Sequence, residues 1–380
     1  MNSSADFQYY SRLAASLSPY VPGEQPKDRK FIKLNTNENP YPPSPKVIEA
    51  VRNAANDSLR LYPDPSCTVL REAVATRWDI KPEQVFAGNG SDEILAFAFA
   101  AFFNSANNGE SPEPVLFPKV SYSFYPVYAA LWNIPFITPD IGDDFSINPN
   151  DYKRSCGGVI IANPNAPTGR ALGLDALKQI ALAQEKNKKV FIIDEAYIAF
   201  ANPDVTGTMI PFINEHPNLL VIRTLSKDAS LAGMRAGYAV GSEELIQGLC
   251  RIRDSFNSYT MDRLAQAASA AAISDTVYYD EINSRVCKTR DRTAADLQNL
   301  GFNVIPSQAN FIFTSPPEIM NGVPSNPATS NAGRLFSALR EKGILVRHFR
   351  QPMIENYLRI SIGTDADMEA FLNTCREIIN

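Results

Sequence analysis

Two short, continuously apolar runs, Val190-Phe191-Ile192-Ile193 and Leu219-Leu220-Val221-Ile222, constrain the fold more than any other feature of this chain. Each is rich in β-branched or aliphatic residues and has no polar face, the pattern of a strand covered on both sides. Comparable runs recur at 85–87, 114–117, 158–161 and 237–240, with helical periodicity between several of them, as at 174–186. Apolar strands interleaved with helices predict an α/β fold built on a mostly parallel sheet. Right-handed crossovers then deliver the carboxyl ends of the strands to one rim, where ligands bind in open sheets of this kind.

At 380 residues the chain exceeds what one hydrophobic core usually serves, so two domains are expected. A helix near 261–272 leads into a region with strands at 310–313 and 357–362, a helix at 334–342 and a final amphipathic helix, which reads as a smaller α/β domain. The expected organisation is an arm over 1–30, a large domain over 31–260 and a linking helix with a small domain over 261–380. Residues 31–45 are candidates to join the small domain.

Composition removes several classes of function. A net charge of -5 lacks the basic face that nucleic acid requires. The amino terminus has no basic stretch followed by an apolar core. The most apolar window, 94–103, is too short to span a bilayer and reads as a buried helix. Five scattered cysteines without a CxxC argue against a disulfide framework or a metal site and fit a reducing, cytoplasmic setting. Only His216 and His348 are present and no GxSxG occurs, which disfavours a Ser-His-Asp hydrolase.

The two apolar runs end in chemistry. The first is followed by Asp194-Glu195-Ala196-Tyr197, the second by Arg223-Thr224-Leu225-Ser226-Lys227, with Gly233-Met234-Arg235 beyond it. Asp194 and Lys227 lie 33 positions apart, about one strand–crossover–strand unit, so both can reach the same rim. A Schiff-base lysine, a carboxylate for a pyridine nitrogen and an arginine for a phosphate are what pyridoxal phosphate (PLP) requires. Gly88-Asn89-Gly90-Ser91-Asp92 runs into the apolar helix, and amides at a helix start can hold an anion. Taken alone this turn is equally an ordinary capped helix start. Asn163-Pro164-Asn165-Ala166-Pro167-Thr168-Gly169 forms a rigid turn after a strand, where a cis X-Pro bond is plausible. Tyr122, within Ser121-Tyr122-Ser123-Phe124-Tyr125, could stack on a flat ring, although core packing explains most such aromatics.

Together these segments resemble the histidinol-phosphate aminotransferase family of fold-type I PLP enzymes. The likeness also takes in Ser18-Pro19-Tyr20-Val21-Pro22-Gly23, Leu34-Asn35-Thr36-Asn37-Glu38-Asn39-Pro40, Leu61-Tyr62-Pro63-Asp64-Pro65 and Tyr357-Leu358-Arg359-Ile360-Ser361-Ile362-Gly363. The resemblance implies that Lys227 carries PLP, Asp194 pairs with its ring nitrogen and Tyr197 bonds its ring hydroxyl. It implies Tyr122 stacked on the ring, and Gly90, Ser91, Asp92, Thr224, Ser226 and Arg235 around the phosphate. Tyr62 would reach that phosphate from a second subunit, making a homodimer with shared sites. Tyr20, Asn37, Arg347 and Arg359 would line the substrate side. There Arg359 would take the carboxylate of glutamate or 2-oxoglutarate, and Arg347 the phosphate of histidinol phosphate.

Two departures stand out. Ala166 occupies the place before Pro-Thr-Gly where many relatives carry asparagine, leaving Asn163 or Asn165 to substitute. The link from Arg347 to Arg359 is short, lacks glycine and contains Arg350. The implied reaction is amino transfer between L-histidinol phosphate and 2-oxoglutarate. Aromatic amino acid transamination and threonine-phosphate decarboxylation are the alternatives on the same scaffold. A PLP-sensing regulator would need a DNA-binding domain ahead of the matching region.

Overall fold

The structure, a computed structural model, describes residues 9–18, 23–26, 29–105, 111–320, 323–324 and 330–379. Its centre is a seven-stranded sheet in the order Val85–Gly88, Gly237–Gly241, Leu219–Thr224, Phe191–Asp194, Gly158–Ala162, Val115–Leu116, Phe136–Ile137. The last five pair in parallel, as the apolar runs predict. Gly237–Gly241 alone runs against both its neighbours. The chain between it and Leu219–Thr224 is a loop, 225–236, that carries Lys227 and the short 3-10 turn Ala232–Met234 but no α-helix to cross over the sheet for a parallel return.

Alternation along the strands divides the core in two. Val159, Ile161, Ile193 and Val221 face one cluster, whereas Ile160, Ile192, Leu220 and Ile222 face the other. Both faces are covered, which is why these strands show no polar face in the sequence. The window at 94–103 is indeed a buried helix, Ser91–Phe102, packed into the second cluster. Among the described residues no helix is long and apolar enough to cross a membrane.

The carboxy-terminal unit is an antiparallel sheet of Arg347–His348, Leu358–Ser361, Phe311–Ser315 and Asn303–Ile305. Helices Asn331–Glu341 and Asp365–Ile379 contribute to its own core around Phe311, Leu335 and Phe371. Residues from far upstream belong to this unit: Ile32–Lys33 pairs with Ile344–Leu345, and Leu34 is buried in its cluster.

Of the elements that the sequence reading does not name, two show why. The edge strand Phe136–Ile137 is only two residues long and half exposed. Helix Thr276–Asn299 buries Tyr279, Ile282, Asn283, Val286, Thr289, Arg290, Thr293 and Leu297. Half of that buried stripe is polar, so hydrophobic periodicity does not reveal it. The helix expected at 261–272 is Arg263–Ser274, displaced because the Asp262 side chain accepts from Ala265 N and caps the start.

Glycine 237 joins the sheet to the turn before helix Ser91–Phe102. A Cβ there would lie 2.8 Å from Ser91 N, 2.9 Å from the Gly90 carbonyl carbon and 2.8 Å from Arg223 O. All three are backbone atoms, so none can swing aside. Gly237→Ala is expected to lower the thermal unfolding midpoint by an amount equivalent to about 1–3 kcal/mol, the usual cost of overpacking. An unchanged midpoint would show that the Gly90–Ser91 turn yields freely.

Candidate active site

At the carboxyl rim of the parallel strands lies a cavity of about 360 Å³, lined by residues of that rim and, from the upstream segment, by Gln25, Thr36 and Glu38. Asp194 is the last residue of its strand and is buried. Burial pushes its carboxyl up to about 6, against hydrogen bonds from Tyr125 Oη (2.9 Å) and Ala196 N (3.2 Å) that favour the charged form. A carboxylate so placed is best served by a cationic or N–H partner arriving in the cavity.

Lys227 enters the same cavity from the turn after Leu219–Thr224. Its Nζ donates to the Thr36 carbonyl at 3.0 Å. Desolvation lowers its pKa to about 8, aided by the positive charge of Arg359 and opposed by Glu38 and Asp92. Such an amine has an appreciable neutral, nucleophilic fraction near neutrality.

One end of the cavity is built for an anion. The Gly88–Ser91 turn places the first amides of helix Ser91–Phe102, which have no intrahelical acceptor, towards it. Gly90 has φ 84°, and a Cβ there would lie 2.8 Å from Arg235 Nη2. Arg235 Nη1 donates to Ser226 Oγ at 3.4 Å, and Nη2 to Asp92 Oδ2 at 3.3 Å. Thr224 Oγ1 donates to Ser226 Oγ at 3.0 Å. Amides, hydroxyls and guanidinium thus converge where the backbone has been kept bare.

The walls are flat. Tyr122 donates from Oη to Asp92 Oδ1 at 2.7 Å, which fixes its ring. Burial raises its phenol pKa well above the usual value, so it stays a neutral donor. Ala162, Ala166 and Ala196 also line the cavity. Tyr197 packs edge-on against Phe311 and accepts Asn37 Nδ2 at 2.9 Å. This set fits a planar group with a carbonyl near Lys227, a ring nitrogen near Asp194 and a phosphate at the Gly90 turn.

Other residues singled out in the sequence lie outside the cavity lining. Asn37 is buried and acts through Tyr197; its Oδ1 accepts Ser361 Oγ at 2.9 Å. Asn165 donates to Val120 O and Thr168 Oγ1 and accepts from Ser121 Oγ. Asn163 is committed to Leu172 and Thr206. Both amides therefore hold the turn, whose Asn163-Pro164 and Ala166-Pro167 bonds are cis, while Ala166 faces the cavity. Arg347 and Arg359 are register partners on adjacent strands, both over the Phe349 ring, and Arg359 donates to Asn35 O at 3.1 Å. Arg350 is exposed. Tyr62 is 78% exposed and stacks on Tyr259 at 4.6 Å. Tyr20 lies outside the described residues.

Sequence reasoning passed over Thr36, Glu38 and Tyr125. Thr36 contributes a backbone carbonyl, which leaves no side-chain signal. Glu38 lines the cavity, and hydrogen bonds from Lys33 and Thr36 outweigh its burial and hold its pKa down. Tyr125 stands in the aromatic run, but its bond to Asp194 needs the fold to be visible.

Comparison with known proteins agrees with this geometry. Residues 29–374 match the family described as aminotransferase class I and II. A histidinol-phosphate aminotransferase of Clostridium botulinum (strain 657 / Type Ba4) is 50% identical over 98% of this chain and 99% of its own. Histidinol-phosphate aminotransferase 1 of Bordetella parapertussis is 49% identical with the same coverage. The crystal structure of the Sinorhizobium meliloti histidinol-phosphate aminotransferase, in complex with pyridoxal-5'-phosphate, superposes with a TM-score of 0.85 at 26% identity, covering 99% of both chains. With half of its residues identical over nearly its whole length, the chain belongs to the histidinol-phosphate aminotransferase family.

Proposed function

We propose that this protein is a PLP-dependent transaminase of histidine biosynthesis. It moves the amino group of L-histidinol phosphate to 2-oxoglutarate, giving imidazole acetol phosphate and L-glutamate. The observation that carries this reading is the buried Asp194 and the acid-shifted Lys227 in one cavity that ends in an anion-binding turn.

When bound, PLP supplies a carbonyl that takes up the amino group and an electron sink for the substrate Cα. Lys227 is the covalent anchor, and its amine, once free, carries the proton to and from the substrate Cα. With a pKa of about 8, roughly one amine in ten is neutral at pH 7. Asp194 keeps the ring nitrogen protonated, and Tyr125 orients that carboxylate. Tyr197, itself aligned by Asn37, meets the ring hydroxyl, and Tyr122 stacks on the ring. The amides of Ser91 and Asp92 hold the phosphate with Thr224, Ser226 and Arg235, and Gly90 leaves it room. Asn165 supports the cavity wall through its turn. Arg359 takes the carboxylate of glutamate or 2-oxoglutarate, and Arg347 the phosphate of histidinol phosphate; Tyr20 completes the substrate side. Two guanidiniums in register suit substrates that share an anionic end opposite the amine.

The partner is a second copy of the chain. Leu61, Tyr62, Phe256 and Tyr259 leave apolar surface exposed around the Tyr62–Tyr259 stack, which supports a homodimer with Tyr62 reaching across.

Adding L-histidinol phosphate alone to the PLP-loaded protein is expected to bleach its yellow band, and 2-oxoglutarate to restore it. A band that ignores histidinol phosphate but responds to phenylalanine would move the activity to aromatic transamination. Release of carbon dioxide from threonine phosphate without 2-oxoglutarate would make it a decarboxylase.

Lys227→Ala is expected to abolish transamination. Asp194→Ala should lower kcat/KM by about two to three orders of magnitude, the scale of removing one partner of a buried charge pair. Full activity in either variant, measured by coupled glutamate formation, would overturn its assigned role.

Because burial lowers the Lys227 pKa, the neutral nucleophile accumulates as pH rises through about 8, well below the usual lysine range. The rate of PLP uptake by PLP-free protein is therefore expected to rise with a midpoint near pH 8 and then level off. A midpoint near that of an ordinary lysine would show the amine to be solvated.

A further inference from the structure

Lys227 is gripped at both ends. Its Nζ donates to the Thr36 carbonyl at 3.0 Å, and its own carbonyl accepts Asn39 Nδ2 at 3.1 Å, three residues along the same segment. The next carbonyl, that of Asp228, accepts Asn283 Nδ2 at 3.1 Å from helix Thr276–Asn299. The two amides are themselves joined, Asn39 Nδ2 donating to Asn283 Oδ1 at 3.0 Å, while Asn39 Oδ1 accepts Tyr41 N at 3.1 Å. Flipping either amide would set donor against donor or acceptor against acceptor, so one orientation satisfies the whole chain of bonds.

The fold does not need these bonds to make the turn. Strand Leu219–Thr224 is paired on both sides, and the turn closes on itself through Leu225 N to Ala236 O and Leu231 N to Leu225 O, each 3.0 Å. What the amides fix is the pair of peptide planes that follow the Lys227 Cα, and hence the direction in which its side chain leaves. Asn283 is buried, so deleting it strands a carbonyl away from water. A lysine that must both anchor a ring and carry a proton at one carbon is sensitive to such aim, since a displacement of about 1 Å can cost about a hundredfold in rate.

We infer that Asn39 and Asn283 form one amide clamp and are positioning residues that aim the Lys227 amine at the reacting carbon. The inference rests on the reading of Lys227 as the PLP anchor. It assigns a catalytic consequence to two side chains that touch neither substrate nor cofactor.

The test compares Asn39→Ala, Asn283→Ala and the double variant with the parent protein. In the PLP-free state, Lys227 is labelled with acetaldehyde, trapped by cyanoborohydride and located by peptide mass across a pH series. The midpoint is expected to move upward in each single variant as the amine loses its fixed place. In the holoenzyme, the single-turnover rate with L-histidinol phosphate should fall by about 10- to 100-fold, with the half-saturating concentration unchanged within about twofold. The double variant should lose little more than the worse single one, because the two amides act as a unit. Unchanged rate and midpoint in both single variants would overturn the clamp, as would losses confined to half-saturation or fully multiplicative in the double. If Asn283→Ala does not fold, Asn39→Ser carries the same comparison, since Asn39 lies in a loop and is partly exposed. A parent protein whose Lys227 captures no aldehyde at any pH would overturn the anchor reading itself, an outcome distinct from unaltered capture in the variants.

Discussion

The site depends on keeping an amine and a carboxylate away from water without pairing them with each other. Lys227 rests on a backbone carbonyl and Asp194 on a phenol and an amide, so each is held by neutral groups. Neutral partners orient a charge without cancelling it. The desolvation that would otherwise be a defect in a protein interior becomes a standing demand for a ligand with complementary groups. Direct pairing of Lys227 with Asp194 would satisfy both, and leave a site with little to offer.

The sheet enforces that separation. Parallel strands put Asp194 and the residues after Ala162 and Thr224 on one rim, and the register of Ala162, Asp194 and Ile222 keeps them one strand apart. The reversed strand Gly237–Gly241 brings Gly237 beside Thr224 and Gly88 together. Bare backbone at Gly237 and Gly90 then lets the anion turn, the arginine and the strand ends crowd into a space that any Cβ would fill. The room for an anion there is a matter of backbone spacing as much as of charge.

The rim was legible in the sequence because strands covered on both faces leave uninterrupted apolar runs, and the polar residues that follow each run stand out, Asp194 directly and Lys227 a few residues on. Asp194 and Lys227 could be placed on that ground, and Gly90 and Arg235 by the chemistry of anions. Elements whose burial is polar could not be read this way. Helix Thr276–Asn299 hides behind Asn283, Thr289, Arg290 and Thr293, and the strand Phe136–Ile137 is too short to register. Thr36 was invisible for a different reason, since any residue supplies a carbonyl. The asparagines of the 163–169 turn were legible as a rigid loop, yet which way their amides point is decided by Val120, Thr168, Leu172 and Thr206.

Ala166 is where these threads meet. An amide at that position would have faced the cavity beside Tyr197; a methyl group does so instead, and neither neighbouring asparagine is free to replace it. Polar control of that edge passes to Tyr197, whose hydroxyl is set by Asn37. Asn37 is in turn fixed by Ser361 and Asn310 of the carboxy-terminal unit, which also carries Arg347 and Arg359. The segment from Leu34 to Asn39 therefore conveys the position of that unit to Tyr197 through one side chain, and to Lys227 through a carbonyl and an amide. A shift of the arginine-bearing sheet relative to the large sheet would be felt at Lys227 and at Tyr197 together, because one short stretch of backbone holds both.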